Sequence, residues 1–379
     1  MAKIAWILGA GFSYPVGGPL LSDLFTPLSW ELTEGRFGGR QEYSVITPDS
    51  RAAHWLYNYG RKFPQGVLRS WQKWTPPGEI LWAHAEEFLA RLDTVSGPDG
   101  APFERRALEF LNHQNPGASL QSPTIAGLTD AAQRLLAAEC SGFVTALKKD
   151  DERCLPYRRW VAELVRPEDL VVTFNYDVLV EQLTKWFGGP IVQVAPSSAV
   201  RDSQSCPLIK LHGSLDWRCD PGTSEVTCQQ DNEFALKRIC TSNELAIACP
   251  GQNKIARSKN LERLWTFAMA ELADADVVVV LGYRMPQMDA FARKSVFGAL
   301  KVSGAEHLGV HVVLGPSAPG DPLTTRLMEL LARAMRPRRH RPEEQAKGRD
   351  TYRIKLHTLG AEDYLQTWSR EDILSRAET

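Results

Sequence analysis

The sequence has almost no net charge, no long apolar run and no closely spaced pair of cysteines, and each shortage removes a class of protein. Lysine and arginine number 44 against 45 aspartate and glutamate, a net charge of −1. No overall field therefore draws the chain to a polyanion, although a local patch can still do so. The longest apolar stretch is the handful of residues around VVVVL, well below the roughly 20 that a membrane-spanning helix needs. MAKIAWILGAGFS is too short in its apolar part for an export signal and has no small-residue cleavage pattern after it, so it predicts the first strand of a domain. The seven cysteines are odd in number and scattered. Without an export signal they predict reduced thiols and a cytoplasmic protein. Cys219, Cys228, Cys240 and Cys249 stand at spacings that fit no common zinc motif, so no metal is expected.

What is present suffices for a large core. The chain has 379 residues, 43% of them apolar, enough for one large α/β domain with an appended subdomain or for two domains. After the strand Lys3–Leu8, the stretch 14–155 predicts a mostly helical or irregular insertion. It is rich in glycine, proline and aromatics (Trp30, Trp55, Trp71, Trp74), with helical spacing at 79–93 and again from about Pro123 to Lys149. From residue 160 short apolar strands alternate with amphipathic helices: LVVTFN, LIKLHG, DVVVVLG, VHVVLG and TYRIKLH are the strands. Strands without polar alternation, separated by helices, predict a doubly wound parallel sheet covered on both faces. The basic segment 333–350 reads as a polar loop. Its run RAMRPRRHR at 333–341 is a candidate contact with nucleic acid or a partner, or a solvated loop. The Trp-rich insertion is a second candidate partner surface, or packing.

In such a sheet, ligands bind beyond the carboxyl ends of the strands, so those ends supply the candidates. The first carries Gly9-Ala10-Gly11-Phe12-Ser13, whose glycines let backbone approach a diphosphate. Tyr14 stands where a dinucleotide fingerprint has its third glycine, and no acidic residue ends a second strand about 20 residues on. A dehydrogenase is disfavoured, and a tight turn without ligand stays open. The second strand end gives Thr173, Asn175 and Asp177; one polar group can cap the following helix, but three exceed what a cap needs. The third comes from LIKLHGSLDW, where a buried strand runs into His212, Gly213 and Ser214. That places an ionisable ring at the crevice, as a base or as a hydrogen-bonded filler. Gly282-Tyr283-Arg284 and Gly315-Pro316-Ser317 end two further strands.

Taken in order, GAGFS at 9–13, TFNYD at 173–177, KLHGS at 210–214 and VVVVLGYRMPQMD at 277–289 resemble the sirtuin NAD-binding fold. Sirtuins carry GAG-x-S, T-Q-N-I-D, a catalytic histidine followed by glycine, and a later glycine at the adenosine end. The similarity spans residues 3–320, and is greatest to the sirtuin-like proteins of bacterial anti-phage systems, which hydrolyse NAD. It implies a Rossmann-like, sirtuin-type fold, with 1–379 as a single sirtuin-like domain around the helical insertion. Departures from deacylase sirtuins point the same way. YPVGGPLLSDLF follows GAGFS in place of the deacylase Pro-Asp-Phe-Arg stretch, Phe174 replaces the glutamine of T-Q-N-I-D, and the zinc knuckles are missing.

The resemblance implies that His212 is the general base and that Asn175 holds the ribose or the attacking water. It places Asp177 against the nicotinamide carboxamide, with Gly9, Ala10, Gly11 and Ser13 around the diphosphate. Thr173 completes the second strand end, Gly282 and Tyr283 lie near the adenosine, and Asp289 matches the last motif position, where it binds the cofactor or orders the loop. The implied activity is an NAD+ glycohydrolase (NADase) that releases nicotinamide and ADP-ribose. NAD+ is then the substrate, and the chain is a defence effector in a homo-oligomer with a separate partner such as a HerA-type DNA-translocating ATPase. Two alternatives stay open: an NAD-dependent protein deacylase or ADP-ribosyltransferase, and a non-catalytic NAD or ADP-ribose scaffold.

Overall fold

Ile4–Leu8 is five apolar residues, and all five are buried. Successive strand residues face opposite sides of a sheet, so unbroken burial requires cover on both. This is strand β1. The chain is described here from a computed structural model, over residues 2–20, 24, 125–197, 200–220, 223, 225–228, 245–247, 259–286, 289–302, 309–316, 321–335 and 353–375. The remaining strands are β2 (Leu170–Thr173), β3 (Ile191–Gln193), β4 (Cys206–Lys210), β5 (Gly213–Cys219), β6 (Val226–Cys228), β7 (Leu245–Ile247), β8 (Val277–Leu281), β9 (Gly309–Val313) and β10 (Arg353–His357). The described α-helices are α1 (Ala10–Ser13), α2 (Ile125–Ala146), α3 (Leu155–Arg159), α4 (Leu179–Phe187), α5 (Lys259–Ala273), α6 (Ala290–Val302), α7 (Pro322–Ala334), α8 (Ala361–Thr367) and α9 (Arg370–Leu374).

The chain divides into two compact units. The first comprises 1–18, 147–212 and 259–379, and holds a seven-stranded sheet in the order β10-β9-β8-β1-β2-β4-β3. Every pairing in it is parallel. This is the α/β, Rossmann-like architecture the strand and helix pattern predicts. Strand β1 lies in the middle, Trp6 opposite Val171 on one side and Val279 on the other. The sequence places β2 and β4 on one flank and β8 and β9 on the other, so the winding reverses between β1 and β8. That is where an open sheet forms its crevice.

The opposite, amino-terminal end of the strands is closed by charge. The Arg370 guanidinium donates to both carboxylate oxygens of Asp169 and to the carbonyls of Ala2 and Leu164. Asp169 is wholly buried and also accepts the Ile4 and Arg166 amides. The core between strands and helices is aromatic. A turn of π-helix, Trp160–Leu164, carries Trp160 edge-on to Trp6 at 6.0 Å and to Phe12 at 5.0 Å.

The second unit comprises 19–146 and 213–258. Its described parts are α2 and a three-stranded antiparallel sheet in the order β6-β5-β7. Of the stretch 14–155 expected as an insertion, the described elements are the turn Tyr14–Val16, α2, and the helical residues Glu152–Arg159 with what lies between α2 and them. The helical spacing at 79–93, the four tryptophans at 30–74 and the basic residues 336–350 lie outside the described residues.

Two local expectations change. Strand β4 ends at Lys210, so His212 sits in a turn and not on the strand itself. Gly213-Ser214 opens strand β5 rather than a loop. Gly213 has a left-handed φ of +82°, and a Cβ there would lie 2.0 Å from the Ala246 carbonyl oxygen. The glycine therefore permits the turn and the pairing of β5 with β7 together.

Candidate functional site

Four loops meet beyond the carboxyl ends of β1, β2, β4 and β8, and they carry the residues singled out from the sequence. The loop after β1 is set by backbone contact. The Gly9 amide donates to the Leu281 carbonyl at 2.9 Å, Gly11 to Gly282 at 3.1 Å, and Phe12 back to Gly9 at 2.8 Å. Gly282 directly follows β8 with φ +67°, and a Cβ on it would lie 2.4 Å from Gly11. Tyr157 donates its hydroxyl to the Phe12 carbonyl at 2.7 Å, and burial pushes its pKa well up, so it stays a donor. The glycines thus let two strand ends touch. The amides of Gly9, Gly11 and Phe12 already serve carbonyls of the protein.

The loop after β2 is a connected polar network. Thr173 Oγ1 accepts the Asn175 amide at 3.1 Å, which folds the chain back at the strand end. Asn175 donates its side-chain amide to the Gly9 carbonyl at 3.0 Å and to Ser13 Oγ at 3.3 Å. The side-chain amide of Asn175 thus braces the first loop, and it also hydrogen-bonds the Asp177 carboxylate. Asp177 accepts the Leu179 amide at 3.1 Å and so helps start α4. Burial raises its pKa, while the Lys210 ammonium and hydrogen bonds from Leu179, Ser13 and Asn175 pull it back down.

Lys210 is a site residue that reading the strand ends alone passes over, although a lysine inside an apolar strand is a signal. It is wholly buried, and its ammonium donates to the Asp177 carbonyl and, at 2.9 Å, to Glu181. It anchors the loop after β2 from the strand next door.

His212 lies beyond β4 and is buried. Its Nε2 stands 3.0 Å from Asp289 Oδ2, and Tyr283 donates its hydroxyl to the same oxygen at 2.7 Å. Asp289 opens α6, its carbonyl accepting the Arg293 amide. Strands β4 and β8 are separated by β1 and β2, about 14 Å at the usual strand spacing. Residues 282–286, Asp289 and the histidine turn, the described parts of these loops, must therefore bring the ends of both together. Aromatic rings fill the bridge: Tyr283 stacks on Phe174 at 4.0 Å with 8° between planes, and His212 meets Phe174 edge-on at 5.0 Å. Met285, in the same segment, holds a left-handed φ of 49°, a conformation that side chains rarely adopt.

The structure thus brings Gly9, Ala10, Gly11, Ser13, Thr173, Asn175, Asp177, His212, Gly282, Tyr283 and Asp289 to one end of one sheet. It draws two of them inward. The Tyr283 ring is packed on Phe174 with its hydroxyl on Asp289, and Asp289 is turned to His212.

Among the described residues no three His, Cys, Asp or Glu side chains gather as a metal site. Cys228 donates to Asp216 at 3.4 Å and Cys219 to the Asp220 carbonyl at 3.9 Å. Cys240 and Cys249 lie outside the described residues. No described helix is long and apolar enough to cross a membrane. No protein-family model matches the chain, and no curated protein matches it.

Proposed function

We propose that the chain is a sirtuin-like NAD+ glycohydrolase whose chemistry lies at the carboxyl ends of β1, β2, β4 and β8. The observation that carries the reading is the meeting of His212, on its carboxylate partner, with the Asn175 loop beside the glycine turn. In the proposed reaction the bond between ribose C1′ and the nicotinamide nitrogen breaks, and its electron pair neutralises the pyridinium. Water bonds to C1′ as its proton passes to His212, giving nicotinamide, ADP-ribose and, once the base resets, one proton. A neutral leaving group needs no general acid. What the site must supply is orientation and a base, the latter worth about 10²–10⁴-fold.

On this reading Asn175 presents its carbonyl oxygen to the ribose or the water, because its amide is engaged by Gly9, Ser13 and Asp177. Asp177 receives the carboxamide, and the diphosphate lies over the 9–13 turn. Gly282 and Tyr283 border the adenosine through their backbone. Deacylation or ADP-ribosyl transfer would use the same bond cleavage with a different acceptor. The scaffold reading has one observation in its favour, the commitment of the Gly9, Gly11 and Phe12 amides within the protein.

Chromatographic assay of nicotinamide and ADP-ribose from NAD+ tests the reading, with His212→Gln as the comparison. Glutamine can still donate to Asp289 but cannot act as a base. Stoichiometric nicotinamide from the wild type and its loss in the variant support hydrolysis. Tight NAD+ binding without any nicotinamide would favour the scaffold. We further propose that the chain acts as a homo-oligomer with a HerA-type ATPase as defence partner. Cellular NAD+ after phage infection, measured with and without the partner, tests that assignment.

A further inference from the structure

We propose that Asp289 is a positioning residue that fixes the tautomer of His212 and raises its basicity. The inference rests on the reading of His212 as the base. An ionised carboxylate only accepts hydrogen bonds, so the 3.0 Å approach of His212 Nε2 to Asp289 Oδ2 requires the imidazole proton on Nε2. The basic lone pair is then on Nδ1. Resemblance alone assigns Asp289 to the cofactor, and its place at the start of a helix offers the simpler role of a cap.

Two features go beyond a cap. The carboxylate is buried and shared between His212 and the Tyr283 hydroxyl on one oxygen. It also sits at the amino end of the 13-residue helix α6, where the helix dipole favours the ionised form. Tyr283 is in turn fixed by its stack on Phe174, so the carboxylate, the ring and the base form one braced chain. Among the described residues the surrounding elements also carry Tyr176 and Asp177 after β2, Lys210 on β4, Arg284 beside Tyr283 and Arg293 on α6. Arg284 is turned to Asp321 and Arg293 to the Pro286 carbonyl. The ammonium of Lys210 is turned to Asp177 and Glu181. Asp289 is an anion in direct contact with the imidazole, and a nearby anion raises the pKa of a histidine.

The experiment is nitrogen NMR of the full chain labelled at histidine, with the His212 signal identified by its loss in His212→Gln. The wild type should show the Nε2–H tautomer. Asp289→Asn should lower the His212 pKa by about one unit or more, and should move the acid limb of nicotinamide release to lower pH by the same amount. A purely structural Asp289 would reduce the amount of folded protein or the rate without moving either pKa. An Nδ1–H tautomer in the wild type, or equal His212 pKa values in the two proteins, would overturn the proposal. Should Asp289→Asn fail to fold, the wild-type tautomer still decides. If the wild type releases no nicotinamide, the hydrolase reading fails, while the tautomer and the pKa difference still test the pairing on their own.

Discussion

Gly11 and Gly282 face one another so closely that a Cβ on Gly282 would lie 2.4 Å from the Gly11 backbone, and one on Gly11 2.7 Å from Gly282 Cα. The contact joins the ends of β1 and β8, where the sheet reverses its winding. A glycine whose motif assigns it to a ligand's phosphate is here required by the protein's own backbone.

Gly282→Ala must therefore push the ends of β1 and β8 away from each other as well as adopt φ +67°. Gly188 provides the control, with φ +76° and nothing within 4 Å of where a methyl group would stand. Gly188→Ala should cost about 1–3 kcal/mol, the penalty of a backbone (φ +76°, ψ −167°) that side chains rarely adopt. Gly282→Ala should cost clearly more and weaken NAD+ binding. Paired thermal melts and NAD+ titrations check this, and equal losses in the two variants would contradict the contact.

The amide of Asn175 ties the loop after β2 to Gly9 and Ser13. Asn175→Ala should lower both nicotinamide release and thermal stability. His212→Gln should reduce release by about 10²–10⁴-fold with a smaller effect on stability. A variant at 175 with wild-type stability and no activity would restrict that residue to substrate contact. The sequence pattern by itself predicts that outcome, and the two hydrogen bonds argue against it.

At the other end of the strands, Arg370→Met should be severe. It leaves the wholly buried Asp169 carboxylate with only the Ile4 and Arg166 amides. Breaking such a pair costs about 3–5 kcal/mol, readable as a shift in a urea midpoint. Activity per folded molecule should not change, since the pair lies at the amino ends of β1 and β2 and the site at their carboxyl ends.

Burial holds His311 and His357 each at a pKa of about 4, with smaller contributions from His357 and Lys355 on the former and Lys355 on the latter. Their facing nitrogens are 3.2 Å apart, and Tyr364 approaches the same His311 nitrogen at 2.8 Å. Because the folded values lie below that of an unfolded histidine, about 6.5, the folded state binds fewer protons. Stability is full above pH about 6.5 and is lost as pH falls toward 4, by about 3 kcal/mol for one such group. His357→Phe should flatten the melting temperature in that window, and an unchanged slope would show that another group controls it.

The legible part of the fold is the part whose physics is local. Runs such as Val277–Leu281 are apolar on both faces, so burial on both sides is written in consecutive residues. Strands β3, β6 and β7 are three residues each and gain their identity from partners elsewhere in the chain. Strand β5 does alternate polar Ser214, Asp216 and Arg218 with Leu215, Trp217 and Cys219, but the Gly213-Ser214 pair at its start reads as a stop. At the site, His212 can be picked out as a strand-end residue and Asp289 as a motif position. Their contact cannot, because it depends on a segment that bridges β1 and β2. The stack of Tyr283 on Phe174 depends on the same bridge.

Of the described strands, β1 is the first to be made and the one that waits longest for its second neighbour. Its neighbours are Leu170–Thr173 and Val277–Leu281, and the guanidinium that neutralises Asp169 beneath it comes from residue 370. At about 5–20 residues per second, Trp6 and Ile7 wait on the order of tens of seconds on the ribosome before both flanks exist. Over that interval the nascent chain already carries the glycine turn, and later the histidine, without the aspartate that orients it. The order of the strands in the sheet, set against their order in translation, keeps the site unfinished until residue 289 is made.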